Sequence, residues 1–268
     1  QPTTTLQRVY GGQVLAQALM AAARTVDPGR APHSLHAYFL RPGDISVPIV
    51  YDVDRVRDGH SFSTRRVVAR QHSRTIFHLS ASFQVPEPGL DHQDEMPTDL
   101  PDPEDCPSLG TVLGGRPGLQ INWDEEWAAL ELRHVADSSG ASGWSQPGHP
   151  AVNRAWLRVA GTMPDDPLLH ACVLAYASDH TLLRVSLTPH GRDPRLREAV
   201  DMHMASLDHA MWFHRPFRAD EWLLYDQVSP SASGARGLAL GRLFTRDGRL
   251  VATVAQEGLI RPIGRRPS

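Results

Sequence analysis

The spacing of apolar residues changes period along the chain. Val14, Leu15, Ala18, Leu19, Ala22, Ala23 and Val26 recur at helical spacing behind Gly11 and Gly12, which predicts a buried helix over 13–26. After Pro32 the apolar positions fall into short β-branched or aromatic runs at 35–40, 47–55, 63–70 and 75–84, separated by Pro-Gly-Asp, Asp-Gly and Ser-Arg turns. A helix followed by an antiparallel meander is an α+β plan.

From Pro86 to about Pro107 the composition shifts to Pro, Asp and Glu without periodicity, and this stretch reads as a surface linker. Beyond it, Trp123, Trp127, Leu130 and Leu132 are too sparse to assign, and 138–150 reads as a Gly/Ser/Pro-rich loop. A second helix is clearer. Asp166 is placed to cap it with Pro167 at its first position, Leu169, Cys172, Val173, Tyr176 and Ala177 form its apolar face, and Asp179 lies at its far end. Strand patterns follow at 205–214, 222–228, 235–244 and 250–258, with Arg246-Asp247-Gly248 as a hairpin turn.

The helix-then-strands pattern therefore occurs twice, and the two occurrences share residues. Phe39, Arg41 and Pro42 recur as Phe213, Arg215 and Pro216; Ser61, Ser63 and Arg66 recur as Ser231, Ser233 and Arg236; Gln84 recurs as Gln256. The separations are nearly constant, which predicts a duplicated helix-plus-sheet unit. The expected organisation is a first repeat over 1–85, a linker over 86–110 and a second repeat over 111–268.

Composition narrows the chemistry. All 27 basic residues are arginine, so a lysine-dependent phosphate-binding loop, a Schiff-base enzyme and a protein kinase are excluded. A net charge of −3 argues against nucleic-acid binding through phosphate neutralisation. The apolar stretch from Val14 to Ala23 is too short for a membrane span. Cys106 and Cys172 sit in dissimilar contexts and read as unpaired thiols of a cytoplasmic protein. Serine hydrolases of the GxSxG type have no matching motif here. The histidine-rich stretch His203, Asp208, His209, His214 lacks metal-ligand spacing, and neighbouring strand residues point to opposite faces, so no metal is expected.

Long motifs then carry a resemblance. Arg8-Val-Tyr-Gly-Gly-Gln-Val-Leu-Ala-Gln-Ala18, His33-Ser-Leu-His-Ala-Tyr-Phe-Leu-Arg-Pro-Gly-Asp44, Leu174-Ala-Tyr-Ala-Ser-Asp179, Asp208-His-Ala-Met-Trp-Phe-His-Arg-Pro-Phe217 and Val254-Ala-Gln-Glu-Gly258 resemble the acyl-CoA thioesterase II family. The resemblance implies a double hotdog fold, two helix-plus-antiparallel-sheet repeats fused in one chain, and hydrolysis of acyl-CoA to a fatty acid and coenzyme A without metal or organic cofactor. It also implies a further strand ahead of Arg8, which the first repeat is expected to lack, and a homo-oligomer, dimer or tetramer. The alternatives are an acyl-CoA-binding hotdog protein without turnover and a hotdog enoyl-CoA hydratase.

Carried over motif by motif, the family's catalytic set falls on Asp179, Ser206 and Gln256. Ser206 stands where the family pattern has threonine, keeping the hydroxyl and losing the methyl that restricts its rotamer. A carboxylate can take a proton from water, and a hydroxyl and an amide can orient that water. Gly12 and Gln13, at the start of the first helix, are the expected amide donors for an oxyanion. With no lysine present, the coenzyme A phosphates must be met by arginine or histidine, and Arg65, Arg66 and Arg236 are the candidates.

Overall fold

A computed structural model describes residues 8–114, 127–138, 151–190 and 201–263. The first strand segment expected ahead of Arg8 and the loop at 139–150 lie outside these residues. The first helix, α1 (Gly11–Ala23), leads into four strands, β1 (Ala31–Phe39), β2 (Val50–Asp58), β3 (Phe62–Gln71) and β4 (Arg74–Gln84). After the acidic stretch come a short α2 (Leu109–Gly114) and two strands, β5 (Leu130–Asp137) and β6 (Val152–Val159). Helix α3 (Pro167–Ser178) precedes a 3-10 segment (Leu182–His190) and then β7 (Asp201–Ser206), β8 (Asp208–Phe213), β9 (Leu223–Ser233), β10 (Arg236–Thr245) and β11 (Leu250–Ile263).

The strand order is β2-β3-β4-β1-β8-β11-β10-β9-β6-β5, with β7 paired to β11. Read outward from the β1–β8 junction, β1-β4-β3-β2 is mirrored by β8-β11-β10-β9, so the sequence repeat is a structural one. Helices α1 and α3 both lie on the inner face. Val14, Leu15, Ala18, Leu19 and Ala22 of α1 are at most 5% exposed and share one core with Leu174, Ala175 and Ala177 of α3 and the inward residues of both half-sheets. Burying each such leucine is worth about 2 kcal/mol. The first turn of α3 is built as the sequence predicts, with Asp166 Oδ1 accepting from Leu168 N at 3.0 Å and Pro167 at the first position.

Two expectations change. The strands β5 and β6 extend the second half-sheet beyond β9, where their sparse apolar residues gave no readable period. The proline- and acid-rich stretch forms no strand, yet it is strapped across the outer face of the second half-sheet rather than spanning solvent. Asp91 pairs with Arg215, Asp94 with Arg242 at 3.0 Å and Asp102 with Arg246 at 2.6 Å. Trp156 Nε1 donates to Pro101 O at 3.0 Å, and Met96 and Leu100 pack on Trp156, Trp222, Leu224, Phe244 and Leu250. Both faces of this half-sheet are thus buried, which is why Leu223-Leu224-Tyr225 and Leu243-Phe244 run apolar without alternation.

Candidate active site

Asp179 caps the C-terminus of α3, where the helix macrodipole disfavours a carboxylate. The structure supplies the compensation: the N-terminal turn of α1 abuts the same point, and the Gly12 N–H donates to the Asp179 carboxylate. Gln256 Nε2 donates to Asp179 Oδ1 at 2.5 Å and to Ser206 Oγ at 2.9 Å, while Ser206 Oγ donates to Asp179 Oδ1 at 3.2 Å. The three residues named from sequence therefore form one closed triangle. Burial pushes the Asp179 pKa up to about 6 against the opposing hydrogen bonds from Gln256, Ser206 and Gly12.

Ser206 reaches this triangle because of a register change that no periodicity reveals. Along β8 the rungs run Phe213↔Ala252 to Ala210↔Ala255, but β7 resumes at Ser206↔Gly258, one residue out of step. Leu207 is the extra residue, its N–H donating to Glu257 O and its carbonyl accepting from Phe39 N, each at 2.9 Å. Asp208 Oδ1 accepts from Glu257 N at 2.7 Å and so closes the ladder at this β-bulge. In the single strand expected over 205–214, Ser206 would share a face with Ala210 and Trp212. The bulge turns it inward, onto the face of Met211 and Val254.

Glycines set the distance between the helices at this point. A methyl group at Gly12 would lie 2.3 Å from Tyr176 O, and one at Gly11 would lie 2.7 Å from Asp179 Oδ2. Tyr10 OH donates to that same Tyr176 O at 2.8 Å. Gly12 and Gln13 thus open α1 at its contact with α3. The Gly12 amide faces the Asp179 carboxylate, and the Gln13 amide donates to Tyr10 O at 3.2 Å.

Asp179 and Ser206 line a cleft of about 650 Å³ whose wall includes Val14, Phe39, Ile76, Phe77 and Leu183. Gln256 is fully buried behind them. Three arginines, Arg8, Arg41 and Arg184, also line the cleft, and Arg41 Nη1 donates to Thr75 O at 2.6 Å. The arginines named from sequence do not. Arg65 is 1% exposed and binds Thr25, Asp58 and the Arg57 carbonyl, which makes it a brace of the first repeat rather than a phosphate ligand. Arg66 is exposed on β3, and Arg236 pairs with Glu257 at 3.0 Å. Distance along the chain hides the cleft arginines: Arg8, Arg41 and Arg184 converge only through folding.

Among its described residues the first repeat carries no second copy of the triangle. Arg24 occupies the C-cap of α1 where α3 has Asp179. Ala37 stands opposite Leu79, as Met211 stands opposite Val254, so Ala81 takes the position of Gln256. Gln84, matched to Gln256 by sequence, lies at the end of β4, outside that register. Of the histidine-rich stretch, His209 faces inward while His214 reaches Thr253 at 2.8 Å on the other side of the sheet. Among the described residues, no group of three or more His, Cys, Asp or Glu is arranged to hold a metal ion.

Known proteins place this architecture. The chain matches the acyl-CoA thioesterase family over residues 134–259 and the acyl-CoA thioesterase N-terminal domain over residues 1–84. It is 41% identical over 256 residues to acyl-CoA thioesterase 2 of Haemophilus influenzae, covering 95% of this chain and 88% of the relative. It is 43% identical over 264 residues to acyl-coenzyme A thioesterase 8 of Homo sapiens, covering 95% and 81%. The crystal structure of an acyl-CoA thioesterase II from Mycobacterium marinum superposes with a TM-score of 0.81 at 47% identity, covering 97% of this chain and 92% of that one. A hot dog fold protein from Alicyclobacillus acidocaldarius, 19% identical, shares the fold at a TM-score of 0.73 over 98% and 89% of the two chains. The mirrored sheet with its paired helices is thus the double hotdog fold, and the chain belongs to the acyl-CoA thioesterase family.

Proposed function

We propose that the chain hydrolyses acyl-CoA thioesters by direct attack of a water held by Asp179, Ser206 and Gln256. The observation that carries this is the closed triangle at the wall of an apolar cleft. Ser206 Oγ accepts from Gln256 and donates to Asp179, leaving one lone pair to orient a water beside the carboxylate. Asp179 takes the water's proton as its oxygen bonds to the thioester carbon. The tetrahedral intermediate then breaks the C–S bond, and Asp179 returns the proton to the departing thiolate, giving a carboxylic acid and free coenzyme A. Incubation with acyl-CoAs of graded chain length should release free thiol without a pre-steady-state burst and without an acyl adduct in the intact mass. Tight binding with no thiol release would reject the reading in favour of a binding protein.

The raised pKa sets a pH dependence. The base works ionised, so kcat/KM should fall about tenfold per pH unit below pH 6 and level off above pH 7. A pantetheine thioester is the substrate for this measurement, because phosphate groups ionise near the same pH. A flat profile between pH 5 and 8 would remove Asp179 as the base.

Arg8, Arg41 and Arg184, which line the cleft, are the arginines we propose to meet the coenzyme A phosphates. Arg8→Ala and Arg41→Ala should each raise KM for acyl-CoA several-fold, about 1 kcal/mol, leave kcat unchanged and leave the phosphate-free pantetheine thioester unaffected. An equal rise in KM for both substrates would assign these arginines to the fold instead. The unpaired, buried thiols of Cys106 and Cys172 suit a reducing compartment such as the cytoplasm. No helix among the described residues is long and apolar enough to cross a membrane.

A further inference from the structure

A second cavity, of about 250 Å³, lies between the start of α2 and β5, with Leu109, Leu130 and Leu132 among its walls. Leu130 and Leu132 belong to the core that also holds Val14 of the cleft wall, and Leu109 packs against that core. One side chain stands between the two spaces. Trp127 lines the second cavity, and its indole centroid lies 4.7 Å from the ring of Tyr10 and 4.4 Å from the ring of His180, both of which line the cleft. Edge-to-face rings at these separations are in van der Waals contact and leave no passage between them. Tyr10 is fixed in this partition by its hydroxyl, which donates to Tyr176 O at 2.8 Å, and His180 is buried next to Asp179 in the chain. Trp127 is carried by the turn ahead of β5, its carbonyl accepting from Leu130 N at 2.8 Å, so it borders the site without belonging to either catalytic helix.

We infer that Trp127 limits the length of the straight-chain acyl group the cleft accepts, by closing it where the indole meets Tyr10 and His180. Two of the cleft arginines mark the coenzyme A end: Arg8 and Arg41 flank a pairing in which Val9 N donates to Gly43 O at 3.0 Å. A thioester carbon held at Asp179 and Ser206 then sends its acyl chain away from that pairing, toward the side of α3, where Tyr10 and His180 meet Trp127. Chains short enough to end at the indole gain from every methylene they bury. Longer ones must fold back or leave their ends in water, although apolar space lies directly behind the ring. Removing the indole joins the two spaces.

The inference rests on the proposed hydrolysis and deepens it to a choice among acyl-CoAs. Its test is kcat/KM for the saturated series from butanoyl-CoA to stearoyl-CoA, each kept below its micellar concentration. In wild type kcat/KM should climb by up to about fourfold per methylene and then break. In Trp127→Ala the break should move to longer chains by at least two methylenes, so that the ratio of the first chain past the wild-type break to the last before it rises about tenfold or more. Leu109→Phe, which fills the second cavity, should leave the wild-type break in place and return the break of Trp127→Ala toward it in the double variant. A break unmoved in folded Trp127→Ala overturns the inference, and so does one that moves equally in the double variant, because the gained space then lies elsewhere. If Trp127→Ala does not fold, wild-type protein labelled with fluorotryptophan decides it with non-hydrolysable thioether analogues of the same series. The fluorine resonance of Trp127, assigned by its loss in Trp127→Phe, should shift only once the chain is long enough to reach the indole; a shift common to all analogues, or to none, overturns the inference. Wild-type protein that binds the analogues and releases no thiol from acyl-CoAs would reject the hydrolysis reading alone, since the thioethers are read without turnover.

Discussion

Asp179→Asn is expected to cost about 10²–10⁴ in kcat with KM unchanged, and to make the protein more stable at pH 8. The two effects have one cause. Burial at the junction of α1 and α3 lifts the Asp179 pKa from an ordinary 3.8 to about 6, so above pH 6 the folded state holds a carboxylate it would bind more favourably in neutral form. The sign follows from linkage. The folded pKa lies above the unfolded one, so the contribution is fully favourable below pH 3.8 and is lost as pH rises through about 6. Each pKa unit corresponds to about 1.4 kcal/mol. Asp179 also lines the cleft, which screens part of this, and the expected gain is about 1–3 kcal/mol. Urea denaturation at pH 8 and pH 5 measures it: the variant should exceed wild type at pH 8, and the gap should narrow at pH 5 as wild-type Asp179 takes up its proton. Ser206→Ala should lose less activity than Asp179→Asn and gain no pH-dependent stability, since it removes only an orienting hydroxyl. Near-normal turnover in Asp179→Asn would place the base elsewhere.

The triangle was legible because Asp179 and Gln256 each sit inside a long motif and Ser206 lies two residues ahead of one, and the repeat was legible because Phe39-Leu40-Arg41-Pro42 and Phe213-His214-Arg215-Pro216 close equivalent strands. What sequence periodicity could not supply was relative position. Ser206 looks outward in any unbroken strand, and only the extra residue at Leu207, tied down by Phe39 N and Glu257 O, turns it in. The arginines show the same gap. Adjacent Arg65 and Arg66 suggested a phosphate site, yet strand alternation buries one among Thr25 and Asp58 and exposes the other, while Arg8, Arg41 and Arg184 meet at the cleft from three distant segments. The acidic stretch read as a linker because its bonding is to the outer face of a sheet formed later in the chain, through pairs such as Asp94–Arg242 and Asp102–Arg246 that no local pattern contains. The lysine-free composition thereby acquires a structural use: forked guanidinium groups fasten that stretch, and other arginines line the cleft.

Gly12→Ala should be the most disruptive glycine-to-alanine change among the described residues. Gly12 is a helical residue without a positive φ, so alanine in its place would favour the helix by about 1 kcal/mol if nothing stood nearby. What stands nearby is backbone. The new methyl would lie 2.3 Å from Tyr176 O and 2.6 Å from the Tyr10 ring, and the carbonyl cannot yield without moving the last turn of α3. Overpacking of this kind costs about 1–3 kcal/mol, and here it acts where the helices cross, so the upper end or beyond is expected. The same displacement draws the Gly12 amide away from Asp179 and swings Asp179 out of the triangle, so kcat should fall along with stability. Gly11→Ala provides the contrast, because its methyl would meet the movable end of the Asp179 side chain at 2.7 Å and the edge of Phe39 at 3.0 Å. It should cut kcat with a smaller loss in urea midpoint. If Gly12→Ala unfolds at the wild-type urea concentration, the close approach of α1 and α3 is not held by this residue. If it unfolds early while Gly11→Ala loses chiefly turnover, the glycine pair divides its work: one residue sets how near the helices lie, and the other leaves room for the carboxylate they hold between them.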